Sequence, residues 1–315
     1  MVSKKTNKRK AIKKKKKNRS IFWIIFAVIM VGLLCAGFYV AYDYWQNHLP
    51  EPSEPESEPE PVEEPEPEPQ IEYKKIDFQP VVNSWVTRQS GNKSVLIYDL
   101  ERNEIVGAYN MNSTYDTASL YKLFGVYEGY RRVQNGEWSL DEPVGSTGYT
   151  VQKCLDLAIR ESHSVCAESI IAKMGGGRAL NSIIANDYGI NNTDVVNLTS
   201  TPEDIMKIMQ KFYTHEEITD ESLIALMKDS FLNQPATTYD WRQGLPSGFK
   251  NANVYNKVGW DYNADKRYWN IYHDAAIVEF PEQNRHYIVV VMTNRVPFEQ
   301  IRKLGTDIEN RFLEN

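Results

Sequence analysis

The spacing of apolar positions divides the chain into segments of different kinds. Ile21 to Ala41 (IFWIIFAVIMVGLLCAGFYVA) is an unbroken, uncharged run of 21 residues. A helix of that length, rising ~1.5 Å per residue, crosses a hydrocarbon layer of ~30 Å, so the run is expected to span a membrane once. From Ile71 the pattern becomes that of a globular domain. Val81 to Arg88 reads as an amphipathic helix, Ser94 to Tyr98 (SVLIY) as a strand, Asp99 to Glu104 as a turn and Ile105 to Asn110 as its hairpin partner. A helical period runs from Ser119 to about Gln134, with Leu120, Leu123, Phe124 and Tyr127 on one face, and Asn135-Gly136 stops it. Further helical stretches fill residues 151–228. Strands resume at Val254 to Val258, Trp269 to Val278 and Tyr287 to Thr293, and a last helix covers Phe298 to Phe312. Strands at both ends with helices between them predict an α/β domain of α+β sandwich type. Its antiparallel sheet is built from both ends of the domain, a helical lobe is inserted, and a site is expected at the seam.

Charge sharpens the division. Residues 1–20 hold 11 Lys or Arg and no acid, whereas residues 51–70 hold 9 Glu and no base. Basic flanks stay on the cytoplasmic side, so the tail of residues 1–20, with Lys13 to Lys17 and Arg19 beside the apolar run of residues 21–41, predicts a single-pass protein. Its N-terminus is then cytoplasmic and its C-terminal domain extracytoplasmic. A cleaved signal peptide begins with a similar basic region, but the apolar run is long for one and no small-x-small site follows it. The segment of residues 42–70 is a linker. Its Glu-Pro repeats from Pro50 to Pro69 build neither core nor helix. In extended polyproline geometry at ~3.1 Å per residue, they hold the next domain up to ~60 Å from the bilayer. That reach suits the wall of a one-membrane, Gram-positive bacterium, with peptidoglycan as a partner, and equally suits a plain stalk.

Residues 71–315 carry 25 basic and 32 acidic side chains, a balance that argues against nucleic acid as a partner. The five histidines are scattered singly, so neither a metal site nor a cofactor is expected. Outside the apolar run only Cys154 and Cys166 remain, and they either pair in an oxidising compartment or stay as two buried thiols.

Candidate chemistry enters at Thr117-Ala-Ser119-Leu-Tyr-Lys122, which opens the first long helix. Lys122 is three residues past Ser119, so its amine shares a face with the Ser119 hydroxyl, and a desolvated lysine can deprotonate a nucleophile near neutral pH. Ser-x-x-Lys alone is unspecific, and an N-terminal helix serine beside a solvated lysine reads the same way. Two further segments follow in order, Glu161-Ser162-His163-Ser164 at a helix boundary and Lys257-Val258-Gly259-Trp260 on a strand. Together the three resemble the S-x-x-K, S-D-N and K-T-G elements of the penicillin-recognising serine hydrolases, in particular the class A β-lactamase-like group. Further landmarks, among them Gly136 to Pro143, Leu245 to Gly248 and His273 to Ile277, extend the likeness over roughly Val81 to Phe312.

The resemblance implies that Ser119 is acylated by a β-lactam or a D-alanyl peptide with Lys122 as its base. Ser162 would carry a proton to the leaving nitrogen, with Lys257 lowering its pKa and attracting the substrate carboxylate. Gly259 lets the strand approach the acyl group, and the N–H groups of Ser119 and Trp260 form an oxyanion hole. Four departures stand out. Ser164 occupies the place of an Asn that would hold the lysine and bind the substrate's side chain, so a shorter hydroxyl stands at that substrate-binding position; His163 occupies that of an Asp, which reads as a change in helix capping; and Val258 occupies that of a Thr or Ser, which removes a hydroxyl for the substrate carboxylate. The Glu-x-x-Leu-Asn loop, whose Glu activates the deacylating water, is missing. Asp187 and Asp194 occur in that region and read as turn residues, so slow deacylation is expected. A wall D,D-peptidase and a non-catalytic sensor domain are the competing expectations. Trp260, Tyr262, Tyr268 and Trp269 suit either sugar stacking or strand packing.

Overall fold

The computed structural model describes residues 28–48, 73–234, 241–261 and 270–315. The basic tail, the Glu-Pro repeats and the aromatic residues Tyr262, Tyr268 and Trp269 lie outside them. The chain separates into two units, Met1–Gln70 and Ile71–Asn315. In the first, helix α1 (Val28–Asn47) is, among the described residues, the one helix long and apolar enough to cross a membrane. It continues past the end expected at Ala41.

In the second unit the elements run α2 (Gln79–Thr87), β1 (Asn92–Asp99), β2 (Glu104–Tyr109), β3 (Tyr115–Asp116), a 3-10 turn (Ala118–Tyr121), then α3 (Lys122–Gln134), α4 (Val151–Arg160), α5 (Ser164–Lys173) and α6 (Gly177–Asn186). They continue through β4 (Thr199–Ser200), α7 (Pro202–Thr214), α8 (Glu221–Leu232), a second 3-10 turn (Leu245–Gly248), β5 (Asn253–Asp261), β6 (Ile271–Phe280), β7 (Arg285–Asn294) and α9 (Phe298–Leu313). The main sheet has the order β2-β1-β7-β6-β5 and is antiparallel throughout. Both ends of the domain therefore meet at β1 and β7, as the strand spacing in the sequence implied.

Strand alternation distributes the core over two faces. Leu96 and Tyr98, Ala275 and Ile277, and Ile288, Val290 and Met292 face the helical lobe. Their neighbours Val95 and Ile97, Ala276 and Val278, and Val289 and Val291 face α2 and α9. A sheet covered on both faces needs apolar residues at nearly every strand position, which is why these strands read as continuous apolar runs. Helix α3 departs from its expected one-faced pattern, because Lys122 to Tyr130 are buried without interruption. It is the central rod of the lobe, enclosed on all sides.

Side-chain caps fix the helix starts around it: the Thr150 hydroxyl accepts from Lys153 N at α4, and the Thr201 hydroxyl from Asp204 N at α7. The helices α4 and α5 are joined by a disulfide between Cys154 and Cys166, so of the two states left open by the sequence the paired one is found. Closing a loop over a separation of 12 residues restricts the unfolded chain by about 3 kcal/mol in the entropic account. A Cys154→Ala/Cys166→Ala double variant is therefore expected to lose about 3 kcal/mol of stability in denaturant titration. Unchanged stability would show that the bridge adds nothing to the packed helices.

Candidate active site

Ser119 lies in the 3-10 turn before α3 and not in the first α-helical turn expected from the sequence. The difference matters for geometry. At three residues per turn, positions i and i+3 eclipse, which stacks Lys122 directly over Ser119. Lys122 Nζ stands 3.1 Å from Ser119 Oγ. Two interactions dock this turn against the sheet. His273 Nδ1 accepts from Thr293 N at 2.9 Å, so its Nε2 carries the hydrogen and donates to the Asp116 carbonyl at 2.7 Å. The Asp116 carboxylate in turn accepts from Ala118 N at 2.8 Å. His273 is fully enclosed, and burial pushes its pKa down to about 4, which keeps the ring neutral for this role. Close approach is possible because Gly259 has no side chain: a Cβ there would stand 2.7 Å from Thr117 O and 3.1 Å from Leu120 Cγ.

The second element arrives from the lobe. Ser162 sits between α4 and α5 with φ at +56°, and Ala118 before the nucleophile has φ at +43°. Left-handed conformations in non-glycine residues are costly and gather where surrounding structure enforces a particular aim. Lys122 Nζ donates to the Ser162 carbonyl, to Ser162 Oγ at 3.2 Å and to Ser164 Oγ at 3.0 Å. An ammonium has three hydrogens for these four oxygens, counting Ser119 Oγ, so its partners are shared. Ser164 thus contacts the lysine. His163 caps α5, its Nδ1 accepting from Cys166 N at 3.2 Å, in agreement with the capping role read from its position.

The third element is the free edge of the sheet. Lys257 Nζ donates to Ser162 Oγ at 2.9 Å and to the Val258 carbonyl at 2.8 Å. Two lysines, each 1% exposed, therefore converge on one serine hydroxyl. Burial holds Lys122 down to about 8, against a smaller upward pull from Glu168. Lys257 is held well below the usual lysine value by burial and then by the Lys122 cation, with Asp274 pulling it up. The carbonyls of Val254 and Asn256 accept from Arg242 and Gln234, and that of Val258 from Lys257, all outside the ladder with β6. Even-numbered residues of β5 consequently aim their backbone groups off the edge, and the Trp260 N–H points the same way as these carbonyls. Val258 turns its side chain into the α9-facing core, and Trp260 packs there against Trp241 at a ring separation of 6.1 Å. Strand packing therefore accounts for Trp260.

The model of the β-lactamase enzyme family matches residues 77–312. The chain belongs to the β-lactamase enzyme family. Among solved structures it is similar to a β-lactamase from Chitinophaga pinensis at 15% identity, with a TM-score of 0.64 over 75% of this chain and 98% of that one. It is also similar to a class A β-lactamase of the last common ancestor of Gram-negative bacteria, at 16% identity, TM-score 0.64, over 75% and 99% of the two chains. A third likeness is to the TLA-1 extended-spectrum β-lactamase, at 13% identity, TM-score 0.64, over 75% and 98%. At such identities these likenesses show the fold, which is that of class A β-lactamases. No curated protein matches the chain.

In this β-lactamase-family domain, Asp187 and Asp194 are both engaged in structural contacts. Asp187 ends α6 and pairs with Arg131 at 3.3 Å. Asp194 accepts from Asn181 Nδ2 at 2.7 Å and from Val196 N at 2.9 Å, and these bonds lower its pKa. Sequence reasoning gave no role to three residues beside the site: His273, Asp274 and Glu168. Asp274 is fully buried, accepts from Asn256 Nδ2 at 2.9 Å and from Leu245 N at 2.7 Å, and is pushed by burial up to about 7. A His-Asp pair inside an apolar strand was the available signal for the first two, because polar groups are buried there only when partnered.

Proposed function

We propose that the protein is an acyl-serine hydrolase tethered to the outer face of a cell membrane, and that it forms a covalent ester at Ser119 with β-lactams or D-alanyl peptides. One observation carries this reading: two desolvated amines share the Ser162 hydroxyl, and one of them also contacts Ser119 Oγ. Burying two lysines side by side is costly, and a lobe stabilised by packing alone has no use for it. In its neutral form Lys122 takes the Ser119 proton as Oγ attacks the carbonyl carbon. The developing oxyanion is held by the N–H groups of Ser119 and Trp260. Ser162 Oγ then gives its proton to the leaving nitrogen and is resupplied from Lys122 through their contact. Lys257 keeps the Ser162 proton mobile and attracts the substrate carboxylate, while Gly259 leaves room for the acyl group and Ser164 steadies Lys122.

Deacylation is the slow step in this reading, since both aspartates that follow α6 are committed elsewhere. Anchoring is supported by α1 and by the basic residues before it, and in this reading the N-terminus is cytoplasmic and the catalytic domain lies outside, toward the peptidoglycan of a Gram-positive wall. Exposing the full chain in detergent to a β-lactam and following it by mass spectrometry tests the whole proposal. The expected result is one adduct, on the peptide containing Ser119, that persists for hours. Loss of the adduct within minutes would favour a rapid β-lactamase. A stable adduct leaves the D,D-peptidase and sensor alternatives, which hydrolysis of D-alanyl-D-alanine peptides separates. No adduct under any condition sinks the acyl-serine mechanism.

A further inference from the structure

Ser162 stands in a short connection, Glu161 to His163, between α4 and α5, and its hydroxyl meets Lys122 at 3.2 Å and Lys257 at 2.9 Å. A serine keeps a left-handed backbone, here at φ +56°, only when its surroundings enforce it. The enforcing bonds lead to the bridged cysteines. On the α4 side, Leu157 O accepts from both Glu161 N and His163 N. On the α5 side, His163 Nδ1 accepts from Cys166 N, the amide of one of the two cysteines. Cys166 lies in the first turn of α5, two residues after Ser164, whose hydroxyl contacts Lys122. It is tied to Cys154 of α4 at a Cα–Cα distance of 4.8 Å, and both cysteines are fully enclosed. The loop closed by the bridge therefore contains Ser162, His163 and Ser164. Packing also brings these helices together: a Cβ on Gly129 of α3 would stand 2.6 Å from Leu155 Cδ2 of α4 and 3.6 Å from Ile170 Cγ2 of α5. Apolar contact is non-directional, however, and leaves α5 free to slide slightly against α4, whereas a covalent tie at its first turn does not.

We propose that Cys154 and Cys166 are a positioning pair for the leaving-group proton: by fixing the first turn of α5 against α4, their bridge holds Ser162 Oγ where it can protonate the departing nitrogen. This deepens the acyl-serine reading and rests on it. The bridge adds no chemical step and acts only through Ser162, so its removal should harm donors that need that proton and spare those that do not. A β-lactam nitrogen must gain a proton as it leaves. A D-alanyl thioester expels a thiolate, the anion of a group with a pKa of about 8.5, which departs without one.

The test compares acylation of the full chain in detergent by a β-lactam and by a D-alanyl thioester. In Cys154→Ala/Cys166→Ala the ratio of β-lactam to thioester rates should fall about tenfold, part of what a displacement near 1 Å costs a positioned reaction. Weakened folding lowers both rates together and leaves the ratio alone. In Ser162→Ala the ratio should fall at least as far, and adding the two cysteine changes to Ser162→Ala should lower it no further, because changes that act through one group are not additive. Where the alanine pair does not fold, the unaltered chain refolded in a reductant supplies the thiol form, and reoxidation with a small disulfide should restore the ratio. An unchanged ratio in a folded form without the bridge, or a further fall in the Ser162→Ala background, overturns the proposal and leaves the bridge as a stabiliser. A chain that folds in no form without the bridge does the same. Failure of the acyl-serine reading has its own signature, the absence of a Ser119 adduct from either donor in the unaltered protein.

Discussion

Replacing Lys122 by alanine will slow acylation of Ser119 by roughly 10²- to 10⁴-fold, the range that a positioned general base contributes. The sign of the pH dependence follows from the same residue. Only the neutral amine can accept the Ser119 proton, and burial brings that form within reach by holding the pKa down to about 8. In the unaltered protein the acylation rate should therefore climb about tenfold per pH unit below this value and level off above it. The alanine variant should be slow across the whole range and lack the inflection. Rates of label incorporation between pH 5 and pH 10 decide the matter. An inflection near 8 that survives in Lys122→Ala would mean that another group is the base, and Lys257 would then be the candidate.

A methyl group at Gly259 should have the second largest effect. Its Cβ would meet the Thr117 carbonyl at 2.7 Å, the Leu120 side chain at 3.1 Å and His273 Cβ at 3.2 Å. The first of these is backbone and cannot rotate away, so the turn carrying Ser119 must move off β5. Displacements near 1 Å can cost about 10²-fold in a positioned reaction, and that is the loss in acylation expected of Gly259→Ala. The accompanying stability loss should be about 1–3 kcal/mol, the usual cost of overpacking. Thermal unfolding and acylation measured on the same sample distinguish a displaced site from an unfolded one. Near-normal acylation would show that the turn has slack that the contacts do not suggest.

Both predictions depend on how β5, the 3-10 turn and the start of α5 are held against one another, and the sequence disclosed that unevenly. The three short segments around Ser119, Ser162 and Lys257 could be picked out as a set because their order along the chain is distinctive, although each alone is unspecific. The capping role of His163 was legible because it depends on neighbours three residues away. Trp260 was ambiguous, since an aromatic residue on a strand serves packing and ligand stacking alike.

By itself the sequence determined what local physics controls: an apolar run long enough for a membrane, strands with both faces apolar, and a Ser-x-x-Lys spacing that puts two side chains on one face. Only the tertiary structure decided the rest. It selected a 3-10 turn over a helical one at Ser119, paired the short strands β3 and β4, formed the disulfide, and brought Lys257 to a hydroxyl that is 95 positions away along the chain. The reason is that spacing constrains neighbours within a turn or a strand, whereas the desolvation that depresses both lysines exists only once the lobe and the sheet have closed around them.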